Sequence, residues 1–146
     1  MEKIKIDNFS KEYPRCHFPE FTSLDKDNCT AIYEKISKKL GLATTSDGLA
    51  LVRTIDARQK TCPTAEGIGD QFSFTSLLTT YGLKGADNVY VNWYRYDRID
   101  KLKFSDLDKY FLDIWYRGVD DMDVFDDTLD WIISVSHDSK IKLLKL

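Results

Sequence analysis

The clearest periodic pattern of apolar positions lies in residues 25–40. Apolar residues recur there at i, i+3, i+4 and i+7, which is the spacing of an amphipathic helix. Asp25 and Asp27 stand near the positive end of this helix, and Gly41 suits the position just after its last turn. The pattern therefore predicts a helix with the buried stripe Cys29, Ile32, Tyr33, Ile36 and Leu40.

Two further helices are predicted by the same criteria. Ser105 opens a helix that ends at Gly118, and a shorter helix follows a cap at Ser73 or Thr75 and stops at Gly82. Their apolar stripes are Leu107, Phe111, Ile114 and Trp115 in the first, and Leu77, Leu78 and Tyr81 in the second.

Runs of β-branched and aromatic residues predict the strands. The predicted strands are residues 4–6, 49–55, 88–96, 122–125, 131–135 and 141–146, of which the last three form a C-terminal β-meander. Residues 137–140 are its last turn, and residues 8–24 and 56–71 carry Pro or Gly without a clear period, so we expect loops there. Lys140, Lys142 and Lys145 alternate with apolar residues, an arrangement that keeps an exposed edge strand from pairing with another chain.

Helices segregated from antiparallel strands define an α+β fold. We expect a single α+β domain over residues 1–146, in which two or three helices pack on an antiparallel sheet that ends in a β-meander. The length and composition agree, since 146 residues with 42% hydrophobic and 31% charged residues suit one soluble domain.

The cysteines and the first residues predict a cytoplasmic protein. Cys16, Cys29 and Cys62 are an odd, widely spaced set, unlike a secreted disulfide framework. Residues 1–7 alternate charge with Ile and lack the apolar core of a signal peptide. No apolar run reaches the ~20 residues of a membrane span, so we expect no membrane association.

The net charge of −3 conceals one strongly acidic block. Residues 106–130 hold nine Asp against Lys109 and Arg117, a local net charge of −7, which leaves +4 for the rest of the chain. A pI near 5.4 and this block argue against a nucleic-acid partner, whose binding protein would be basic. Tyr90, Tyr94 and Tyr96 could stack bases, but a core strand explains the same residues without a ligand and is the favoured explanation.

The chain offers few residues for catalysis or metal binding. His17 adjoins Cys16, but a cysteine nucleophile needs a base placed across the fold, and His137 stands beside Asp138 in a predicted turn. An EF-hand loop that began at Asp121 would lack its Gly and its final Glu, and zinc motifs are absent. We therefore expect no catalytic residue, metal or cofactor, while a small hydrolase that uses Cys16 or His137 stays open as an alternative.

The acidic block has two explanations. It is either a solvated helix face followed by Asp-rich turns, or a docking face for a basic protein. The positive charge of such a partner would offset the repulsion among the Asp side chains and would speed association by electrostatic attraction. The residues expected at the centre of such a docking face are Asp120, Asp121, Asp123, Asp126, Asp127, Asp130, Trp115 and Tyr116.

The stretch FDDTLDWIISVSHD at residues 125–138, with the short strand that follows it, resembles the C-terminal hairpin of many small bacterial immunity proteins. Those proteins belong to polymorphic toxin and contact-dependent growth inhibition systems. The shared pattern is an acidic turn, a Leu-Asp-Trp strand, and a His followed by an acidic residue; Ser139 stands where a Gly is common. The resemblance covers the last 22 residues.

The resemblance implies a non-enzymatic cytoplasmic protein that binds one cognate toxin domain, often a basic nuclease, and blocks its active site. Together with the acidic block, it leads us to expect an immunity protein that neutralises a toxin through an acidic surface. A regulatory or adaptor protein that binds another basic partner is the alternative, and the oligomeric state stays open.

Overall fold

The computed structural model describes residues 1–43, 48–62 and 72–146. Within them, the helices are α1 (Lys3–Glu12), α2 (Lys26–Lys39), α3 (Gly48–Arg58), α4 (Phe74–Thr80), α5 (Phe104–Lys109) and α6 (Phe111–Ile114). The strands are β1 (Phe21–Ser23), β2 (Lys60–Thr61), β3 (Asn88–Asn92), β4 (Ile99–Lys103), β5 (Met122–Phe125), β6 (Trp131–Val135) and β7 (Ile141–Lys145). This combination of helices with an antiparallel sheet confirms the predicted α+β class.

The strands form a seven-stranded antiparallel sheet in the order β1-β4-β3-β5-β6-β7-β2. The predicted C-terminal β-meander is confirmed, since β5 pairs with β6 and β6 pairs with β7. The prediction that β7 is an exposed edge is wrong. Lys142 and Leu143 of β7 pair with Thr61 and Lys60 of β2, a contact across about eighty residues of sequence that no local pattern reveals.

Both faces of the sheet are covered by helices. On the first face, Val124 and Ile133 belong to an apolar cluster with residues of α4, α5 and α6. On the second face, Phe125 and Ile132 belong to a cluster with residues of α2 and α3. Because successive strand residues point to opposite faces, β5 and β6 carry apolar neighbours such as Val124 and Phe125 instead of a strict alternation.

The segment predicted as a strand at residues 4–6 lies in helix α1, so that prediction is wrong. Lys5 is fully buried, whereas Ile4 is 56% exposed. This is the reverse of the burial expected for a strand with one solvent-exposed face, in which Ile would be buried and Lys exposed. Lys5 and Phe9, one helical turn apart, face inward together. The alternation of Lys and Ile misled because the buried position is a lysine held by a tertiary ion pair.

Residues 49–55, also predicted as a strand, lie in helix α3. Leu51 and Ile55, at i and i+4, point into the cluster on the second face. A short apolar run does not distinguish a strand from a buried helix by its periodicity, and here the helix is the structure that forms.

The two predicted loops are also shorter than expected. The first contains the end of α1 and strand β1. The second contains the end of α3 and strand β2, and its residues 63–71 lie outside the described residues.

Helix α2 confirms the clearest sequence prediction. The Asp25 side chain caps the helix by accepting a hydrogen bond from the Asn28 amide at 2.8 Å. At the other end, Gly41 has a φ of 69°, and the Gly41 and Leu42 amides donate to the carbonyls of Lys38 and Ser37, which is a Schellman ending.

The other two predicted helices are confirmed in position and corrected in detail. Ser73 caps α4 through the Ser76 amide, and Gly82 follows the helix with a φ of 66°. The helix expected to open at Ser105 is divided at Tyr110 into α5 and α6, and Lys103 occupies its N-cap position. The predicted stripe is buried throughout, at Leu107, Phe111, Ile114 and Trp115.

Strand β3 ends at Asn92, four residues earlier than predicted. Tyr94, Arg95 and Tyr96 all have positive φ values, which extended backbone does not allow. The Asn92 side-chain oxygen accepts the Tyr96 amide at 2.9 Å, and this contact holds the tight turn into β4.

Candidate functional site

The eight residues predicted for a docking face do not form one surface. Trp115, Asp120 and Asp126 are buried, Tyr116 and Asp123 are half-buried, and Asp121, Asp127 and Asp130 are exposed. Strand β5 separates Asp121 from Asp126, a span of about 16 Å at roughly 3.3 Å per residue. The eight predicted residues therefore divide into three places with different partners.

The first place is a buried ion pair on the first face. The Asp120 carboxylate pairs with the Lys5 ammonium and accepts the Tyr116 amide at 2.7 Å. The Lys5 ammonium also lies over the Tyr116 ring, 4.3 Å from its centroid. The expectation of an exposed aromatic anchor is wrong for Trp115, which is 2% exposed and donates its indole N–H to the Asp120 carbonyl at 2.8 Å. This group of residues holds α1 against the segment after α6.

The second place is the turn between β5 and β6. The Asp126 carboxylate accepts the Thr128 amide at 3.0 Å, as Asp commonly does in turns. The Lys39 ammonium donates to the carbonyls of Thr128 and Leu129 and to the Asp130 carboxylate. Here the explanation of the acidic residues as an Asp-rich turn fits the contacts, with Asp126 buried and Asp127 and Asp130 exposed.

The third place is a cavity of about 370 Å³ on the second face, at the start of β5. It is lined by residues of α3, β5, β6, β7 and the turn between β6 and β7. Its charged or titratable lining residues are Asp56, Asp121, Asp123, His137, Asp138, Lys140 and Lys142. Two predicted residues, Asp121 and Asp123, therefore meet here with residues from elsewhere in the chain.

A row of polar side chains crosses four adjacent strands beside this cavity. Asn92, Asp123, Ser134 and Lys142 are successive partners in register across β3, β5, β6 and β7. The Asn92 amide donates to the Asp123 carboxylate at 3.0 Å, and the Ser134 hydroxyl donates to the other Asp123 oxygen. We call these four residues the polar row.

Asp56 of α3 and Gln59, which follows this helix, contact the polar row. The Gln59 side-chain amide donates to the Ser134 hydroxyl at 2.6 Å, and the Lys142 ammonium pairs with the Asp56 carboxylate. Gln59 follows the last residue of α3, and its backbone amide donates to the Ile55 carbonyl at 3.0 Å. The side of the helix that closes the apolar core at Ile55 therefore also reaches the polar row.

Asp123 differs from the other carboxylates of the cavity in its partners. Asp56, Asp121 and Asp138 each pair with a basic side chain, respectively Lys142, His137 and Lys140. The bonds given to Asp123 come from the uncharged donors of Asn92 and Ser134. Burial raises the pKa of Asp123, hydrogen bonds from Ser134, Asn92 and Tyr96 lower it, and the charge of Asp121 raises it further. The result is a carboxylate with a raised pKa and no cation among the described residues.

The Tyr96 hydroxyl is buried next to Asp123. Burial, then the negative charge of Asp123, and then a hydrogen bond to that carboxylate raise the pKa of this hydroxyl well above its ordinary value. Tyr96 is therefore a third uncharged donor beside Asp123, after Asn92 and Ser134.

His137 is held by Asp121 in two ways. The Asp121 carboxylate accepts the His137 backbone amide at 2.8 Å and lies 2.9 Å from the His137 ring Nδ1. The hydroxyls of the two cavity serines, Ser134 and Ser136, donate to Asp123 and Asp138 rather than to His137. The lysine of the same turn, Lys140, and then Ser136 lower the pKa of Asp138 to about 2.

The cysteines stand apart from the cavity. Cys16 is exposed in the segment after α1, while Cys29 and Cys62 are buried, and burial raises the pKa of both buried thiols. In residues 1–43, 48–62 and 72–146, no group of three or more His, Cys, Asp or Glu side chains could hold a metal ion. Within the same ranges, no helix is both long and apolar enough to cross a membrane.

Sequence reasoning missed Asp56, Gln59, Asn92 and Lys142 as residues of this site. The available signal was a polar residue inside an otherwise apolar strand, as with Asn92 after Val91 and Ser134 before Val135. Only the strand register shows that these interruptions lie side by side.

Comparison of the chain with protein-family models, with curated proteins and with solved structures finds no match. The function is therefore inferred from the residues and contacts described above.

Proposed function

We propose that this protein is a cytoplasmic immunity protein of a bacterial toxin system, which binds one toxin domain and neutralises it without catalysing a reaction. The observation that carries the proposal is the position of the C-terminal hairpin. The β6–β7 hairpin, whose sequence resembles that of immunity proteins, supplies one wall of the cavity and carries Asp138 and His137 at its turn.

The docking surface that we propose is the rim of this cavity rather than the whole acidic block. Asp56, Asp121 and Asp138 are exposed around it, and Asp123 lies deeper. The four carboxylates exceed the two lysines of the rim, Lys140 and Lys142. Such an acidic rim would steer a basic toxin domain and fix its orientation.

The rim charges contribute little binding energy by themselves, because they are exposed and because Asp56 and Asp138 already have lysine partners. A stable complex would need a buried area of about 1,200–2,000 Å². We therefore expect the rim to set the rate and salt dependence of association, and the cavity to hold the central contact of the interface.

The proposal is tested with the toxin itself. The C-terminal domain encoded by the gene directly upstream is expressed in cells with and without this protein, and growth is recorded. We expect the protein to restore growth and to form a one-to-one complex in isothermal titration calorimetry. Unrestored growth, with no heat of binding to that domain, would contradict the proposal.

The matched variants use exposed residues at opposite ends of β5. The double variant Asp56→Lys with Asp138→Lys should slow association with the toxin domain and flatten its salt dependence, since it reverses the charge of the rim. Asp127→Lys with Asp130→Lys, at the far end of β5, is the control and should leave the association rate within about twofold.

A second function is favoured by one specific observation, the contact between Asp121 and His137. An Asp that orients a histidine through Nδ1 is the arrangement of a general base, and the pair borders a cavity. This observation favours a small hydrolase.

Two substitutions distinguish a hydrolase from a binding protein. His137→Gln and Cys16→Ala should leave toxin neutralisation intact if the protein acts by binding. Loss of neutralisation in His137→Gln, with an unchanged affinity for the toxin, would instead support catalysis by the pair.

A further inference from the structure

We draw no further inference here: the strongest candidate, the cavity beside the polar row on the second face of the sheet, belongs to the docking surface already proposed and carries nothing more, since the Asp123 carboxylate accepts hydrogen bonds from Asn92, Ser134 and Tyr96 and no other contact among the described residues indicates a ligand.

Discussion

Asp120 and Asp123 stand three residues apart in the sequence, the first just before β5 and the second within it, and the partners of their carboxylates differ. Asp120 is buried with the Lys5 ammonium as its partner. Asp123 is half-buried, and its bonds come from uncharged donors. The contrast shows that carboxylates close together in the sequence can have different roles in the structure. A carboxylate that has its own cation stabilises the fold, while one that lacks a cation beside a cavity is available to a ligand.

Two other acidic residues of the chain have a cation as their partner, as Asp120 does. Asp100, fully buried, pairs with the Met1 α-ammonium and accepts the Trp93 indole N–H at 2.7 Å. Asp130, exposed, pairs with Lys39 at 3.0 Å. Substitution of a carboxylate that has a cationic partner and substitution of Asp123 should therefore change the free energy of unfolding by different amounts.

The largest effect should come from Asp120→Ala. The substitution leaves the Lys5 ammonium buried without its counter-ion, and we expect the free energy of unfolding to fall by about 3–5 kcal/mol. Urea denaturation followed by tryptophan fluorescence measures this change. The double variant Lys5→Met with Asp120→Asn removes both charges and should recover part of the loss. A cost of Asp120→Ala no greater than about 0.5 kcal/mol, as for an ordinary surface position, would show that the ion pair is not structural.

An intermediate effect is expected for Lys39→Met. The ammonium of Lys39 donates to two carbonyls and one carboxylate of the β5–β6 turn, so its loss should lower the free energy of unfolding by about 1–2 kcal/mol. Denaturation by urea is again the measurement. The neighbouring Asp127→Asn is the control and should change stability by less than about 0.5 kcal/mol; equal effects of the two variants would remove the distinction between partnered and free charges in this turn.

The smallest effect at neutral pH is expected for Asp123→Asn, within about 1 kcal/mol of the wild type. The substitution should instead change how the free energy of unfolding depends on pH. Burial raises the pKa of Asp123 in the folded state above the ordinary value of 3.8. The protonated form is therefore favoured by folding, and this contribution is full below 3.8 and is lost as the pH rises through the folded pKa. The wild type should thus gain stability relative to Asp123→Asn as the pH falls through that range.

Denaturation of both proteins over a series of pH values tests this sign. If the difference between the wild type and Asp123→Asn did not change with pH, the Asp123 carboxylate would be solvated in the folded state.

The sequence predicted the parts of this fold that depend on neighbouring residues. Asp25 and Gly41 bracket α2 because capping acts within a few residues, and the β-meander follows from short apolar runs separated by turn residues. Prediction failed at Lys5, Leu51 and Ile55, where a local pattern fits both a strand and a helix and tertiary packing decides between them.

The candidate site was predicted only in part for the same reason. Asp121 and Asp123 belong to a visible acidic block, but Asp56, Asn92 and Lys142 reach them from helix α3 and strands β3 and β7. Trp115 was expected at the surface as an aromatic interface residue, and Asp120 and Asp126 as part of the acidic docking face, and all three are buried.

The sequence by itself determined the α+β class, the caps of α2 and α4, the meander, and the concentration of negative charge after residue 105, since these depend on composition and short-range geometry. The tertiary structure alone decided which carboxylates have a cation. Lys5 reaches Asp120 across 115 residues, whereas strand register gives Asp123 only Asn92 and Ser134. Pairing of charges depends on distances in space, and chain order does not encode those distances locally.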